Sequence, residues 1–213
     1  MEANFWHQKW EKNEIGFHQT KPNALLAKYF GTLSLAKDAR VFLPLCGKTL
    51  DIAWFLSEGY CVAGAELSET AIKQLFTELG LSAKVTEAGP LKHYSAKDID
   101  IFVGDIFDLS ADTLGPVDAV YDRAALVALP ADIRGSYVKH IAKITERAPQ
   151  FLITFVYDQS VMAGPPFSIE QTDLDQYYGQ SHELTLLETA SIEGGLKGRC
   201  PADELAWRLK PAR

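Results

Sequence analysis

One stretch, from Arg40 to Glu66, constrains the fold of this chain more than any other. It opens with a short apolar block, Val41-Phe42-Leu43, which is typical of a strand covered on both faces in a parallel sheet. Pro44 ends that block, and Gly47 lets the backbone turn tightly before a segment with helical spacing of its apolar residues. A second apolar segment then ends at Glu66. The stretch therefore predicts one β-turn-α-β unit.

Glu66 is the residue of this unit most suited to hold a ligand. It lies about 20 residues beyond the glycine turn, the offset at which a dinucleotide-binding unit places an acid on a ribose hydroxyl. The glycine fingerprint G-x-G-x-x-G is absent, which disfavours a pyrophosphate. A nucleoside without phosphates, such as S-adenosylmethionine, remains compatible. The alternative is an ordinary βαβ unit in which Glu66 faces water, and the stretch alone leaves the two equally open.

Length and composition indicate a single globular domain. A chain of 213 residues with 47% hydrophobic and 23% charged residues has the composition of a folded protein and can bury a sizeable core. Its net charge of −7, without a dense block of Lys and Arg, argues against a nucleic-acid-binding surface. The solvated acidic surface makes a monomer the default expectation.

The three cysteines, Cys46, Cys61 and Cys200, indicate a reducing cytoplasm. Their number is odd and their spacing fits no metal site, so neither a disulfide framework nor a bound metal is expected. We interpret Cys46 as a packed thiol rather than a nucleophile, because no base lies near it in sequence. No apolar run approaches the roughly 18 residues that span a bilayer, and the polar, aromatic N-terminus is unlike a signal peptide. These features favour a cytoplasmic protein without a membrane segment.

Aromatic residues crowd the segment before the first strand. Trp6 and Trp10 lie one helical turn apart, next to Phe5. They would suit either a lid over a planar ligand or a helix packed on the outside of the sheet. The residues alone favour the outer helix, because aromatic side chains are mostly core material.

Strand and helix patterns alternate along the rest of the chain. Further strands of the sheet are predicted at 100–104, 117–122 and 151–157. Segments 83–86 and 91–94 indicate a hairpin. Segments 183–189 and 204–209 indicate an antiparallel pair at the edge of the sheet. This order predicts one α/β domain on a mostly parallel sheet, with its functional site at the carboxyl ends of the strands.

The rim formed by those strand ends collects residues that suit a nucleoside. Glu66 would accept hydrogen bonds from vicinal hydroxyls, and the pair Ile106-Phe107 would form an apolar slot for a purine. Arg123 could hold a carboxylate through charge-assisted bonds. Each has a structural alternative, since Ile106-Phe107 also suits a core and Arg123 could pair with Asp122 or Asp105. Their convergence on one rim favours a binding site.

A series of short motifs runs through the chain in order. They are Phe5-Trp-His-Gln-Lys-Trp10, Gly16-Phe-His-Gln19, Val41-Phe-Leu-Pro-Leu-Cys-Gly-Lys48, Gly64-Ala-Glu-Leu-Ser68, Gly104-Asp-Ile-Phe107, Tyr121-Asp-Arg-Ala-Ala-Leu126 with Ala128-Leu-Pro130, and Gly164-Pro-Pro-Phe167. Together they resemble the thiopurine S-methyltransferase family in its short bacterial form. The resemblance covers nearly the whole chain, and only the segment 181–197 is uninformative.

The resemblance implies a Rossmann-like, seven-stranded, mostly parallel sheet with helices on both faces. It implies a single domain, 1–213, with an N-terminal aromatic lid over 1–35 and the core over 36–213. S-adenosylmethionine would be the methyl donor and an aromatic or heterocyclic thiol the acceptor. Carried onto this chain, the donor-binding residues are Trp10, Leu45, Glu66, Ile106, Phe107 and Arg123, with Trp6 in the same lid. Phe17 would face the acceptor, Arg123 would reach both ligands, and Arg199 would correspond to a second family arginine.

Methyl transfer from a sulfonium to a sulfur is an in-line displacement that is accelerated mainly by alignment of the reactants. No nucleophilic residue, metal or covalent intermediate is therefore expected, and Arg123 could favour the ionised acceptor. The natural acceptor is open, and selenium or tellurium compounds are included as soft nucleophiles. Two other functions remain as alternatives: a noncatalytic S-adenosylmethionine-binding protein, and a nicotinamide-dependent oxidoreductase.

Overall fold

A single sheet with helices packed on both faces forms the frame of the molecule. The computed structural model describes residues 3–12, 14 and 19–212. The helices are α1 (Ala3–Glu11), α2 (Ala24–Tyr29), α3 (Asp51–Ser57), α4 (Glu69–Glu78), α5 (Ala111–Leu114), α6 (Ala131–Ile144) and α7 (Gln171–Tyr178). The strands are β1 (Arg40–Pro44), β2 (Cys61–Glu66), β3 (Lys84–Ala88), β4 (Leu91–Ala96), β5 (Ile99–Val103), β6 (Ala119–Arg123), β7 (Gln150–Tyr157), β8 (His182–Ser191) and β9 (Ala202–Pro211).

The described residues form a sheet of nine strands in the order β3-β4-β5-β2-β1-β6-β7-β9-β8. The central strands β5, β2, β1, β6 and β7 pair in parallel, as the alternation of strands and helices predicted. Their carboxyl ends therefore share one rim. The α/β fold class with a mostly parallel sheet is confirmed.

The resemblance implied seven strands, whereas the described residues form a sheet of nine. The predicted hairpin is confirmed as β3 and β4, and β4 adds to the sheet by pairing antiparallel with β5. Without β4, the edge of β5 would present a row of unpaired N–H and C=O groups. The hairpin satisfies these groups and so lengthens the sheet on that side.

The predicted antiparallel pair at the opposite edge is confirmed as β8 and β9. The last strand, β9, lies between β7 and β8 and runs antiparallel to both. Since β9 runs opposite to β7, its first residues lie at the rim where β7 ends. The register pairs Glu204 of β9 with Phe155 of β7 and so brings Glu204 to that rim.

Apolar side chains cover both faces of the central strands, as predicted for β1. Val41 and Leu43 pack in one cluster with Ile52 of α3, whereas Phe42 packs in a second cluster with Tyr137 of α6. The alternation follows from the two-residue period of a strand. A strand buried in this way fixes the position of the turn that follows it.

The helix after β2 begins at a serine cap and ends before a glycine. The side chain of Ser68 accepts a hydrogen bond from the backbone N–H of Ala71 at 3.3 Å, and Glu69 lies in the first turn. Gly80 follows the helix with a φ of +66°. The cap fixes the start of α4 directly behind Glu66, which matters for the site.

Among the described residues, no helix is long and apolar enough to cross a lipid bilayer. The division of one domain 1–213 into a lid over 1–35 and a core over 36–213 stays a prediction.

Candidate active site

Glu66 ends β2 with a carboxylate that the backbone holds in place. Its Oε2 accepts a hydrogen bond from the N–H of Gly47, and its Oε1 accepts one from the N–H of Ser68, both at 2.8 Å. The residue is only 6% exposed, so the alternative in which Glu66 merely faces water is wrong. The parallel pairing of β1 with β2 brings the Gly47 turn to this carboxylate.

Burial raises the pKa of Glu66 above its usual value, while the hydrogen bonds from Ser68 and Gly47 lower it in part. Each carboxylate oxygen has two lone-pair directions, and one backbone N–H occupies one of them. The oriented oxygens can each accept a further hydrogen bond. Two neighbouring hydroxyl groups would match this arrangement.

The turn after β1 is strained and lies under Trp10. Leu45 and Gly47 have positive φ angles of 48° and 53°, a conformation that costs a non-glycine residue about 1–2 kcal/mol. A Cβ atom placed on Gly47 would lie 2.9 Å from Cζ2 of Trp10. Trp10 itself is 5% exposed, so α1 is seated tightly on the turn at this point. Only glycine allows this approach.

Cys46 lies inside the same turn as a buried free thiol, as predicted. Burial raises its pKa well above the usual value, and the nearby Glu66 carboxylate adds to the effect. Since the thiolate is the reactive form of cysteine, this thiol is poorly suited to act as a nucleophile.

The turn Ile106–Asp108 follows β5 and offers an apolar surface to the same rim. Asp105 fixes the turn, because its Oδ1 accepts a hydrogen bond from the N–H of Phe107 at 3.0 Å. Ile106 is buried and also belongs to the core, whereas Phe107 is 44% exposed. An exposed aromatic ring beside a buried aliphatic residue can flank a flat heterocycle.

Asp122 and its neighbours hold the turn that follows β6. Its Oδ1 accepts a hydrogen bond from the N–H of Leu126 at 3.0 Å, and its Oδ2 accepts one from the hydroxyl of Tyr137 at 2.7 Å. Burial raises the pKa of Asp122 to about 6 against these hydrogen bonds. Ala124, with a φ of +63°, adopts the left-handed conformation in this turn. Asp122 therefore stabilises the turn that directly follows Arg123.

Arg123 forms an ion pair with Asp51. The alternative in which Arg123 pairs with Asp122 or Asp105 is wrong. Its NH1 lies 3.6 Å from Oδ2 of Asp51, and the two side chains are 8% and 1% exposed. Asp122 and Asp105 are instead engaged by the turns that they cap. The Nε atom of Arg123 is buried and has no hydrogen-bond partner among the described residues.

These features surround a cavity of about 650 Å³, within the range of pockets that hold drug-sized ligands. The residues named for the donor all line it: Trp10, Leu45, Glu66, Ile106, Phe107 and Arg123. Phe5 and Trp6 also line the cavity, so α1 covers the rim. The residues alone had favoured a helix packed on the outside of the sheet, and that interpretation is wrong. The binding roles of these residues stay predictions.

The two other residues predicted to bind the substrate, Phe17 and Arg199, are not among the described residues that line the cavity. Phe17 lies outside the described residues. Arg199 is exposed, and it is absent from the described residues that line the cavity. Its neighbour Lys197 does line the cavity and donates from Nζ to the carbonyl of Pro165 at 2.7 Å. The role of Arg199 stays a prediction.

Sequence reasoning missed three polar residues of the site: Asn23, Asp51 and Glu204. Asp51 accepts hydrogen bonds from the N–H of Asn23 at 2.8 Å and from the hydroxyl of Tyr121 at 3.0 Å. Asn23 donates from Nδ2 to Oε1 of Glu204 at 2.9 Å, and Glu204 lines the cavity. In the sequence, Asp51 looks like an ordinary acid at the start of a helix. The one available signal was the position of Glu204 at the start of a predicted strand.

No cluster of three or more His, Cys, Asp or Glu residues suited to a metal occurs in the part of the chain that the structure describes. The expectation that no metal takes part in the reaction stays a prediction.

Sequence comparison finds close relatives over the whole chain. A family model described as thiopurine S-methyltransferase matches residues 1–201. A thiopurine S-methyltransferase of Xanthobacter autotrophicus is 53% identical over 213 residues, which is 100% of both chains. One from Gluconobacter oxydans is 47% identical over 209 residues, 98% of this chain and 95% of its own.

Comparison with solved structures gives the same architecture. The 1,6-didemethyltoxoflavin-N1-methyltransferase of Burkholderia thailandensis, solved with 1,6-didemethyltoxoflavin and S-adenosylhomocysteine, superposes with a TM-score of 0.66. The match covers 98% of this chain and 87% of that chain at 15% identity. At this level of identity the likeness shows the fold.

Proposed function

This chain belongs to the thiopurine S-methyltransferase family, and from that premise we propose that it transfers a methyl group from S-adenosylmethionine to the sulfur of an aromatic or heterocyclic thiol. The observation that carries the proposal is the fixed carboxylate of Glu66 in the wall of a cavity that it shares with Arg123. These groups suit the two polar ends of the donor, its ribose and its amino-acid carboxylate.

The donor half of the cavity fits a nucleoside without phosphates. Glu66 would accept hydrogen bonds from both ribose hydroxyls, one on each oxygen. Ile106 and Phe107 would enclose the purine, and the guanidinium of Arg123, which lines the cavity, would meet the carboxylate. The turn at Leu45 to Gly47 has a single glycine and lacks the several glycines of a pyrophosphate cradle. No feature of the turn favours a nicotinamide dinucleotide.

The acceptor half of the cavity is mostly apolar. Phe155, near the end of β7, lies on the other side of β6 from Glu66 of β2 in the strand order. The segment 164–166 and Leu196 also line the cavity. Flat apolar surfaces of this kind suit an aromatic or heterocyclic ring. Arg123 lies between the halves and would favour an ionised sulfur by its positive charge. The thiol ring would therefore lie against apolar surface with its sulfur near Arg123.

When bound, the donor supplies a methyl group on a sulfonium sulfur that an acceptor sulfur can displace in line. The chain contributes alignment, which in oriented systems can be worth effective molarities of about 10^5 to 10^8 M. Phe5, Trp6 and Trp10 of α1 line the cavity and would exclude water from the bound ligands. Exclusion of water strengthens the electrostatic effect of Arg123 on the acceptor.

The natural acceptor belongs to the class of soft nucleophiles, with selenium and tellurium compounds as further candidates beside thiols. We also propose that the protein is a cytoplasmic monomer that binds no nucleic acid. The net charge of −7 and the free thiols of Cys46, Cys61 and Cys200 support this assignment.

The proposal is tested by incubating the protein with S-adenosylmethionine and a simple aryl thiol and detecting the products by mass spectrometry. Formation of the methyl thioether together with S-adenosylhomocysteine is expected. Donor binding without either product, for any thiol in a panel, would favour a noncatalytic binding protein. Calorimetric titration with NADH serves as the control for the oxidoreductase alternative, and no heat of binding is expected.

A further inference from the structure

Glu204 places a carboxylate in the acceptor half of the cavity. It lies near the start of β9, between Phe155 of β7 and Ala190 of β8 in the sheet register. Both Glu204 and Phe155 line the cavity, as does Arg123. The antiparallel insertion of β9 thus carries an acidic side chain to the side of the rim away from Glu66.

Asn23 holds this carboxylate in a fixed orientation. The Nδ2 of Asn23 donates to Oε1 of Glu204, while its Oδ1 accepts from the N–H groups of Leu25 and Leu26 at the start of α2. Its own backbone N–H donates to Asp51. Asn23 is 2% exposed, and its backbone N–H, its Nδ2 and its Oδ1 all form hydrogen bonds. Rotation of its side chain would therefore break several hydrogen bonds.

The charged and titratable groups around Glu204 come from two elements, β6 and α3. Arg123 lies on β6, Asp51 on α3 and Tyr121 on β6, and Asp51 joins the other two through a 3.6 Å ion pair and a 3.0 Å hydrogen bond. Burial raises the pKa of Glu204 above its usual value, and Asp51 adds to this, while Asn23 and Arg123 lower it. A carboxylate with a raised pKa is a better proton acceptor near neutral pH.

A proton acceptor is needed because a neutral thiol is a poor nucleophile. A thiol with an ordinary pKa of about 8.5 is mostly protonated at neutral pH, and the thiolate is the reactive form. The cavity-lining carboxylates among the described residues are Glu14, Glu66, Asp105 and Glu204. Glu14 pairs with Lys9, Glu66 is held by two backbone N–H groups, and Asp105 caps its turn.

We propose that Glu204 takes the proton from the acceptor thiol during methyl transfer. The S–H bond breaks and its proton passes to the Glu204 carboxylate. The sulfur forms a bond to the methyl carbon, and the bond from that carbon to the donor sulfur breaks, leaving its electron pair on the donor sulfur. Two neutral thioethers result, and the proton on Glu204 returns to water. This inference rests on the methyl transfer proposed above.

The test compares the pH dependence of kcat/KM in the wild-type protein and in Glu204→Gln, with an acceptor thiol chosen to have a pKa of about 8.5. Glutamine keeps a hydrogen-bond acceptor for Asn23 but cannot take the proton. Two pH units below the thiol pKa, we expect Glu204→Gln to lose on the order of 100-fold, the low end of general-base contributions. Above the thiol pKa the two proteins should converge, because the acceptor arrives already ionised.

A loss that is the same at every pH would overturn the proposal, since a structural role predicts that result. Glu204→Asp should keep the wild-type pH profile at a reduced rate. Asp203→Asn is the matched control, because Asp203 is the neighbouring carboxylate on β9 and accepts a hydrogen bond from Ser191 on the outside. Its profile should match that of the wild-type protein.

Calorimetry with S-adenosylhomocysteine supplies a readout that does not depend on turnover. Glu204→Gln should bind it within about twofold of the wild-type affinity. A tenfold or greater loss, with an unchanged pH profile, would assign Glu204 to the donor and overturn the proposal. A wild-type protein that methylates no thiol would refute the proposed function and this inference with it, and a pH-independent effect in an active enzyme refutes this inference alone.

Discussion

Glu66→Gln changes the group on which the donor half of the cavity depends, and it does so without a change in shape. The two carboxylate oxygens accept N–H bonds from Gly47 and Ser68 at 2.8 Å. Glutamine offers one oxygen and one NH2 group, so one of the two N–H groups must face another donor. Either of the two possible amide orientations leaves one backbone N–H unpaired.

The effect on stability is expected to be small, because two contributions oppose each other. An unpaired buried N–H costs about 1–3 kcal/mol. Against this, the variant removes a buried charge. The pKa of Glu66 is raised in the folded protein, so its ionisation lowers stability as the pH rises past the unfolded value. We expect a net loss of about 1 kcal/mol in the free energy of unfolding at pH 7.

The effect on donor affinity is expected to be much larger. A hydrogen bond to a charged group contributes about 1.5–3 kcal/mol, and loss of one such bond to a ribose hydroxyl raises the Kd roughly 10- to 150-fold. Calorimetric titration with S-adenosylhomocysteine measures this directly, and urea denaturation gives the stability. The control is Glu87→Gln on the exposed strand β3, which should change neither. Unchanged donor affinity in a folded Glu66→Gln protein would refute the assignment of Glu66 to the ribose.

Two further substitutions test the turn after β1 and the start of α4. Gly47→Ala should lower the free energy of unfolding by about 1–2 kcal/mol through its positive φ, and should also weaken donor binding because the new methyl group displaces Trp10. Glu69→Gln should lower the Tm at neutral pH, because Lys92 and then Tyr94 lower the pKa of Glu69 to about 2 by hydrogen bonding. The stabilisation exists above the unfolded value near 4.5 and is lost as the pH falls towards 2, so the two Tm curves should converge in acid.

Gly80→Ala is the matched control for the turn. Gly80 has a φ of +66°, but a Cβ atom there meets nothing within 4 Å. It should lose comparable stability while keeping full donor affinity, and equal losses of affinity in both variants would contradict the role of Trp10. For Glu69, a constant Tm difference between pH 7 and pH 3, measured by circular dichroism, would contradict the ion-pair explanation.

The parts of the fold that could be predicted are those that local sequence patterns determine. The strand β1 and its glycine turn follow from a short apolar block, and α4 follows from Ser68 and an apolar stripe. Whether all of the predicted strands join one sheet could not be obtained in this way. Whether a hairpin stays separate or joins a sheet depends on which edge is left unpaired, and β5 provides that edge.

The residues of the candidate site also fall into those that local patterns determine and those that they do not. Glu66 and Arg123 end their own strands, so a sequence that places the strands also places them at the rim. Asn23, Asp51 and Glu204 act through contacts that span 28 and 181 residues of sequence. No local pattern encodes such contacts, and for that reason Asp51 was not among the partners considered for Arg123.

The separation of 181 residues between Asn23 and Glu204 also bears on the order in which the cavity is assembled. The donor half draws on residues from Trp10 to Arg123, whereas the acceptor half closes only when the last strand joins the start of α2. Contacts between distant residues form late, because the chain must first lose the entropy of closing a long loop. A nascent chain would therefore complete its donor half before its acceptor half, and the second step would seal the cavity.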